Sequence, residues 1–203
     1  DRISSAIDAN EGILIYSDFD ADGVTSAVIL KEALELAGAC HISVYLPSRF
    51  EDGYGFHTHL MTEFAEARIG LIITADCGIV ASETCTEAKR LGIDVIITDH
   101  HKLGDVLPDA LSIINPWLPS WKGFELDDLS GAGVAYLLAW GLLERRNLVN
   151  EIETDWAMDL LTISIAGDGQ PVTGLNRGWV KRGLKAIERS DRQGILSLLL
   201  VSG

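Results

Sequence analysis

Ile13-Leu14-Ile15-Tyr16-Ser17-Asp18-Phe19-Asp20-Ala21-Asp22-Gly23-Val24-Thr25-Ser26 is an apolar run that ends in three carboxylates at alternate positions, followed by a glycine. The run reads as a buried strand, and Thr25 and Ser26 mark the start of a helix. Ionised carboxylates packed this closely repel one another, so the stretch calls for a divalent cation or a shared proton. It predicts a strand, a charged turn and a helix, with a cation at the turn.

Outward from this unit the same grammar repeats. Residues 1 to 9 read as a short helix, and Val24 to Ala37 has helical apolar spacing with Gly38 as its C-cap. Strands are expected at His41 to Leu46, Ile69 to Ala75, Ile93 to Thr98 and Leu111 to Ile114, with helices at His57 to Ala67 and Val80 to Leu91 between them. Near-continuous apolar runs of this kind belong to strands covered on both faces. The fold class is α/β: an open, mainly parallel five-stranded sheet with helices on both faces, followed by a helical subdomain. Composition shifts near Leu129, and helices are expected at Val134 to Arg146, Asp155 to Ala166, Trp179 to Arg189 and from Arg192. Residues 1–129 form the sheet core in this reading, and residues 130–203 the helical part of the same domain.

With 203 residues, 47% of them hydrophobic, the chain can bury a substantial core. No apolar run reaches the length of a membrane span and no signal peptide is evident, so no membrane partner and a cytoplasmic location are expected. Asp1 stands where an initiator Met would be and the apolar run Ile195 to Val201 stops abruptly, so a further domain is expected beyond this chain. Cys40, Cys77 and Cys85 match no structural zinc spacing and read as reduced thiols. The net charge of −14 tells against a broad nucleic-acid-binding face, though not against a local one.

In open parallel sheets, ligands collect beyond the carboxyl ends of the strands. Three runs finish there in metal-competent residues: Asp18, Asp20 and Asp22; Asp76; and Asp99-His100-His101. Side chains alternate along an extended segment, so His100 and His101 are expected on opposite sides, one as a ligand and the other facing substrate. Asp168, in the turn Gly167-Asp168-Gly169, is a further candidate carboxylate, or simply a turn residue. Asp99 reads as a ligand or as an orienter of one. Carboxylates with imidazole suit Mn²⁺ or Mg²⁺. Two such ions about 3.5–4 Å apart form the usual clamp for phosphoester hydrolysis, with Asp76 as the natural bridge. Arg49 and Gly53-Tyr54-Gly55 offer phosphate and base contacts or an exposed turn. Gly131-Ala132-Gly133 offers a phosphate cradle or close helix packing. Arg177, Lys181, Lys185 and Arg189 recur every four residues, as a solvated stripe or a path for a nucleic acid backbone.

In these stretches the sequence resembles the DHH phosphoesterase superfamily, and within it the RecJ-type single-strand-specific exonucleases. The matching segments are Ser17 to Ser26, Arg49 to Gly55, Asp76-Cys77-Gly78, Thr98 to His101, Asn115-Pro116, Gly131 to Ala135 and Asn176-Arg177. The resemblance implies two divalent cations, Mn²⁺ before Mg²⁺, with Asp20 and Asp76 holding one and Asp22, Asp76, His100 and Asp168 the other. It implies that His101 contacts the scissile phosphate, that Asp18 supports the cluster, and that Arg49, Tyr54, Gly131, Gly133, Asn176 and Arg177 bind substrate. Single-stranded DNA would be the partner, cut from 5′ to 3′ in repair and recombination, with a C-terminal DHH-associated domain supplied in cis. Two departures stand out. Tyr16 occupies a position where some relatives carry a histidine ligand, and Ala166-Gly167-Asp168-Gly169-Gln170-Pro171 replaces the usual Ala-Asp-Val-Val-Pro.

Three other readings compete. One is a DHH member that acts on nano-oligonucleotides, cyclic dinucleotides or pyrophosphate, and another is a non-catalytic scaffold, although the ligand set here is whole. A haloacid-dehalogenase-type phosphatase would use Asp18 as nucleophile but has no use for Asp99-His100-His101.

Overall fold

The computed structural model describes residues 1–153 and 155–202. Helix α1 (Arg2–Asp8) leads into β1 (Gly12–Ser17), α2 (Ala21–Leu36), β2 (Ile42–Tyr45), α3 (Met61–Glu66), β3 (Ile69–Ala75), α4 (Ser82–Arg90), β4 (Asp94–Thr98) and β5 (Ser112–Ile114). Four helices complete the chain: α5 (Gly131–Arg145), α6 (Met158–Gly167), α7 (Gly174–Ile187) and α8 (Gln193–Ser202). All strand pairs are parallel, in the order β2-β1-β3-β4-β5. That is the doubly wound order whose direction reverses between β1 and β3, where loops diverge and leave a crevice. The charged turn after β1 and Asp76 after β3 flank that reversal.

The alternation of side chains along the strands sorts the core into two layers. Ile13, Ile15, Leu71, Ile73 and Ile96 face α1, α2 and α5, through Ile7, Leu30, Leu34 and Leu142 among others. Leu14, Tyr16, Ile72, Val95 and Ile97 face α3 and α4, through Met61, Phe64, Cys85 and Ala88. Each such apolar side chain contributes about 1.5–3 kcal/mol of burial. A further cluster joins α2, α5, α6 and α7 through Ile29, Ala33, Val134, Leu161 and Trp179. Helix α5 therefore packs on both the sheet and α2, which ties the helical part to the crevice.

Two helices begin three residues earlier than apolar spacing predicts. Helix α2 starts at Ala21 because the Asp20 carboxylate caps it, accepting the Gly23 N–H at 2.9 Å. Thr25 and Ser26 are not its cap; their hydroxyls donate within the helix to the carbonyls of Ala21 and Asp22. Helix α5 starts at Gly131, capped by Ser130. The segment expected as one helix from His57 opens as a single 3₁₀ turn, Thr58–Leu60, before α3. Among the described residues no helix is long and apolar enough to cross a membrane.

Candidate metal centre

The strand ends supply the first group of ligands. The Asp18 N–H donates to Ala75 at 3.1 Å, which extends the ladder past Ser17, and its carboxylate accepts the Phe19 N–H at 2.8 Å, which turns the chain into α2. The turn is so tight that a Cβ on Gly23 would stand 2.4 Å from the Asp18 carbonyl oxygen. Asp76 leaves β3 with φ +63°, in the left-handed region that costs a non-glycine residue about 1–3 kcal/mol. Oxygens of Asp18, Asp20 and Asp76 lie within 4.8 Å of one another. Asp18 thus stands in the cluster itself rather than behind it.

The tandem histidines depart from strict alternation. The ladder continues one residue beyond β4, through the Asp99 N–H to Ile114 at 3.1 Å, and then the chain turns. Asp99 makes that turn: one oxygen accepts the His101 N–H at 3.0 Å and meets His101 Nδ1 at 2.8 Å, and the other accepts the Ile79 N–H at 2.9 Å. The two rings consequently lie side by side, 4.6 Å between centroids, instead of on opposite sides. His100 Nε2 and His101 Nδ1 stand 3.2 and 3.9 Å from Asp76 Oδ1. Asp99 acts as an orienter here, fully buried and occupied by these contacts.

Asp22 has a different environment. It lies in the first turn of α2, almost fully buried, and its oxygens accept three protein donors: the N–H groups of Gly131 at 2.6 Å and Ala132 at 2.8 Å, and the Ser164 hydroxyl at 2.7 Å. This carboxylate caps α5 from a distance and stitches α2 to α5 and α6. An oxygen of Asp22 also lies within 4.8 Å of ligand atoms of His100 and Asp168, a group able to hold an ion, although three protein donors already share this carboxylate. His100 Nε2 lies 3.6 Å from Asp22 Oδ2, so Asp22 borders the cluster.

Asp168 arrives from the helical side as the C-cap of α6, with Oδ2 3.7 Å from His100 Nε2. Gly167 allows this approach, since a Cβ there would meet the Ala21 Cβ at 3.1 Å. Gln170 donates to Asp168 Oδ2 at 2.6 Å and so holds the carboxylate that the unusual Gly-Asp-Gly-Gln sequence carries. The sequence marks Gln170 only as part of the variant segment around Asp168 and gives it no role, although its polarity two residues beyond Asp168 was a usable signal. The supports of the histidine pair, Asn115 among them although Asn115-Pro116 is one of the matching segments, likewise carry no role in the sequence alone. Asn115 donates to the His101 carbonyl and the Trp117 indole to the His100 carbonyl, each at 2.9 Å, while His100 Nδ1 contacts the Leu129 carbonyl at 2.9 Å. No local pattern announces contacts between such distant segments.

Burial pushes the Asp76 carboxyl up to about 8, against the pull of His100. Burial alone would lower His100, but Asp76, Asp22 and Asp168 outweigh it and carry the imidazole up to about 9. Burial also raises Asp18, with Asp20 adding to the effect. Asp99 ends below the usual range, because His101 and the Ile79 N–H overcome its burial. Asp76 Oδ1 and His100 Nε2 are among the few buried polar atoms without a hydrogen-bond partner among the described residues, and they face each other. An oxygen-rich set with one or two imidazoles and unsatisfied buried atoms fits a hard divalent cation.

The residues expected to bind substrate divide. Arg49 lies over the Phe19 ring at 4.7 Å, beside the charged turn, and Tyr54 contacts His101 Nδ1 through its hydroxyl at 3.3 Å. Arg177 is exposed on α7. Three others are engaged within the protein. The Gly131 N–H is spent on Asp22, and a Cβ there would sit 2.5 Å from Asp76, so this glycine exists for close approach. The Gly133 N–H donates to Ser130, and its Cβ position faces Leu129 and Trp179. Asn176 is buried and donates to the carbonyls of Asp128 at 2.7 Å and Pro171 at 3.0 Å. Close packing, the alternative for the glycines, is what the structure displays. Tyr16 is fully buried against Phe56 and Phe64 and donates to the Gly55 carbonyl at 3.0 Å. It anchors the Arg49–Gly55 loop and does not join the carboxylates.

The pattern of the DHH family, N-terminal domain, matches residues 12–167. The chain belongs to the DHH family. The single-stranded-DNA-specific exonuclease RecJ of Bacillus subtilis is 39% identical over 203 residues, which is 100% of this DHH chain and 25% of that protein. A solved exonuclease RecJ bound to manganese superposes with a TM-score of 0.89 at 34% identity, covering 100% of this chain and 50% of the other. RecJ of Thermus thermophilus in complex with Mn²⁺ gives a TM-score of 0.83 at 32% identity, covering 100% of this chain and 28% of the other. The DHH chain therefore spans a quarter of the Bacillus relative and between a quarter and a half of these solved chains.

Proposed function

We propose that this chain is the metal-binding core of a phosphodiesterase that hydrolyses single-stranded DNA from the 5′ end, within a longer cytoplasmic protein of DNA repair and recombination. In this reading residues 1–129 form the sheet core and residues 130–203 the helical part of one domain, and a C-terminal domain in cis completes the grip on DNA. The observation that carries the proposal is the convergence of Asp18, Asp20, Asp76, His100, His101 and Asp168 on one crevice, with the buried Asp76 Oδ1 and His100 Nε2 left unpartnered. The manganese-bound RecJ structures of the same fold support the choice of metal.

Asp18, Asp20 and Asp76 would hold one divalent cation, and Asp76, His100 and Asp168 the other, with Asp22 bracing both from behind. Bound there, two such ions supply Lewis-acid charge for the phosphoryl oxygens and lower the pKa of the attacking water. The protein's own groups do the rest. Asp99 fixes the tautomer and direction of His101, which stands at the open side of the crevice and is 43% exposed, where it can donate to a phosphate oxygen. Tyr54 closes on the same ring, and Arg49 adds a fixed positive charge beside Asp18.

The test is Mn²⁺-dependent digestion of end-labelled single-stranded DNA, with a dinucleotide and pyrophosphate as competing substrates. Release from the 5′ end supports the proposal. Exclusive hydrolysis of pyrophosphate or dinucleotide contradicts it.

A further inference from the structure

The acidic balance of the chain makes its unpaired cations conspicuous. The 16 lysines and arginines are outnumbered by 30 acids, and half of the 16 hold a carboxylate. Arg49 and Lys102 lie over aromatic rings instead. Among the described residues that leaves six, and four of them are Arg177, Lys181, Lys185 and Arg189. All four are exposed.

Helix α7 is locked in orientation by its opposite face. Asn176, Trp179 and Gly183 are its buried residues, and a Cβ on Gly183 would collide with Thr162 at 1.9 Å, so the helix sits tightly on α6. A spacing of four residues places Arg177, Lys181 and Lys185 on the outward face, about 6 Å apart along the axis, and Arg189 follows just beyond the last turn. The helix also begins beside the crevice: the chain passes from Asp168 through Gln170 and Pro171 into α7, and Asn176 pins the first turn to Asp128 and Pro171. Arg177 is thus at the end near the metal centre, and the other three recede from it. Elsewhere the negative field of the protein repels a polyanion, so a line of uncompensated cations leading from the crevice is the favourable route.

We propose that the outward face of α7 is the track for the sugar-phosphate backbone of single-stranded DNA as it leaves the metal centre, with Arg177, Lys181 and Lys185 each opposing a phosphate and Arg189 extending the line past the helix end. This inference rests on the function proposed above and adds the path of the substrate. The contacts are electrostatic and carry no base preference.

The experiment measures binding of fluorescent oligothymidylate by anisotropy across a salt series without divalent metal, for the wild-type protein, Lys181→Ala/Lys185→Ala and Lys181→Arg/Lys185→Arg. Two lost phosphate contacts lower the slope of log K against log[salt] by about 1.4, at roughly 0.7 per contact for a single strand, and the arginine pair restores it. In parallel, the KM for an oligonucleotide rises in the alanine variant relative to that for a dinucleotide, which is too short to run along the helix. A wild-type protein that neither binds oligothymidylate nor cleaves it overturns both proposals. Normal binding and cleavage with an unchanged slope in the alanine variant overturns the α7 track alone. A slope change with polyglutamate but not with oligothymidylate assigns the face to an acidic protein segment and also overturns the track.

Discussion

The two sides of the crevice use carboxylates in opposite ways. On the strand-end side, Asp76 is buried with Oδ1 making no hydrogen bond among the described residues and facing His100 Nε2 at 3.2 Å, and its carboxyl rises to about 8. At the helix junction, Asp22 is as deeply buried, but three donors from α5 and α6 occupy its oxygens. An unsatisfied buried acid is held at a cost of several kcal/mol and needs a cation or proton to relieve it. A satisfied one is an anchor, each charge-assisted bond contributing about 1.5–3 kcal/mol. Burial alone therefore does not identify a ligand; the question is whether the protein has already answered the charge.

The comparison predicts opposite outcomes for two substitutions. Asp76→Ala should abolish Mn²⁺-dependent nuclease activity and Mn²⁺ binding by calorimetry, yet leave the metal-free protein at least as stable in urea, since it removes an uncompensated group. Retained activity would break the two-metal reading. Asp22→Asn should do the reverse, costing about 1–3 kcal/mol of stability because one donor must now face the amide nitrogen. Its Mn²⁺ affinity should fall only about 10–100-fold, the usual effect of a group that supports ligands. Complete loss of Mn²⁺ binding in a folded Asp22→Asn protein would place Asp22 among the ligands and erase the distinction.

Much of the architecture was legible in the sequence, and what was not has a common cause. β3 carries the bounds that its apolar run announces, and all five strands lie where expected, because burial on both faces writes itself into continuous hydrophobic runs. The convergence of Asp76 and His100 was likewise readable, since parallel strands bring their carboxyl ends to one edge, whereas Asp168, which comes from the end of α6, could be read only as a candidate. The early starts of α2 and α5 were not. One depends on a cap hidden in the charged turn, and the other on Ser130 together with Asp22, 109 residues away from Gly131. For the same reason the donors around Asp22 were not legible: sequence displays a carboxylate but not the groups that distant segments bring to it. His100 and His101 were expected to diverge because alternation holds only in extended chain, and the Asp99 turn ends it.

Acidity offers a gentler probe of the strand-end side. In the metal-free protein Asp76 and His100 hold protons up to about 8 and about 9, and a cation must displace them. Mn²⁺ affinity should therefore climb as pH rises from about 6 towards 9, with proton release measurable by calorimetry in buffers of different ionisation enthalpy. A flat profile would mean that Asp76 and His100 are already deprotonated without metal. The smallest effect concerns Tyr16. Tyr16→Phe removes a single neutral hydrogen bond to Gly55, so a loss of about 1 kcal/mol is expected, with KM for DNA rising and Mn²⁺ affinity unchanged. A drop in Mn²⁺ affinity would instead make Tyr16 part of the metal centre.

The most direct measurement is anomalous scattering at the manganese edge from crystals of the protein grown with Mn²⁺. Two peaks are expected, sharing Asp76, one beside Asp18 and Asp20 and the other beside His100 and Asp168, with Asp22 still bonded to Gly131, Ala132 and Ser164. A peak coordinated by Asp22, with those three bonds broken, would contradict the account.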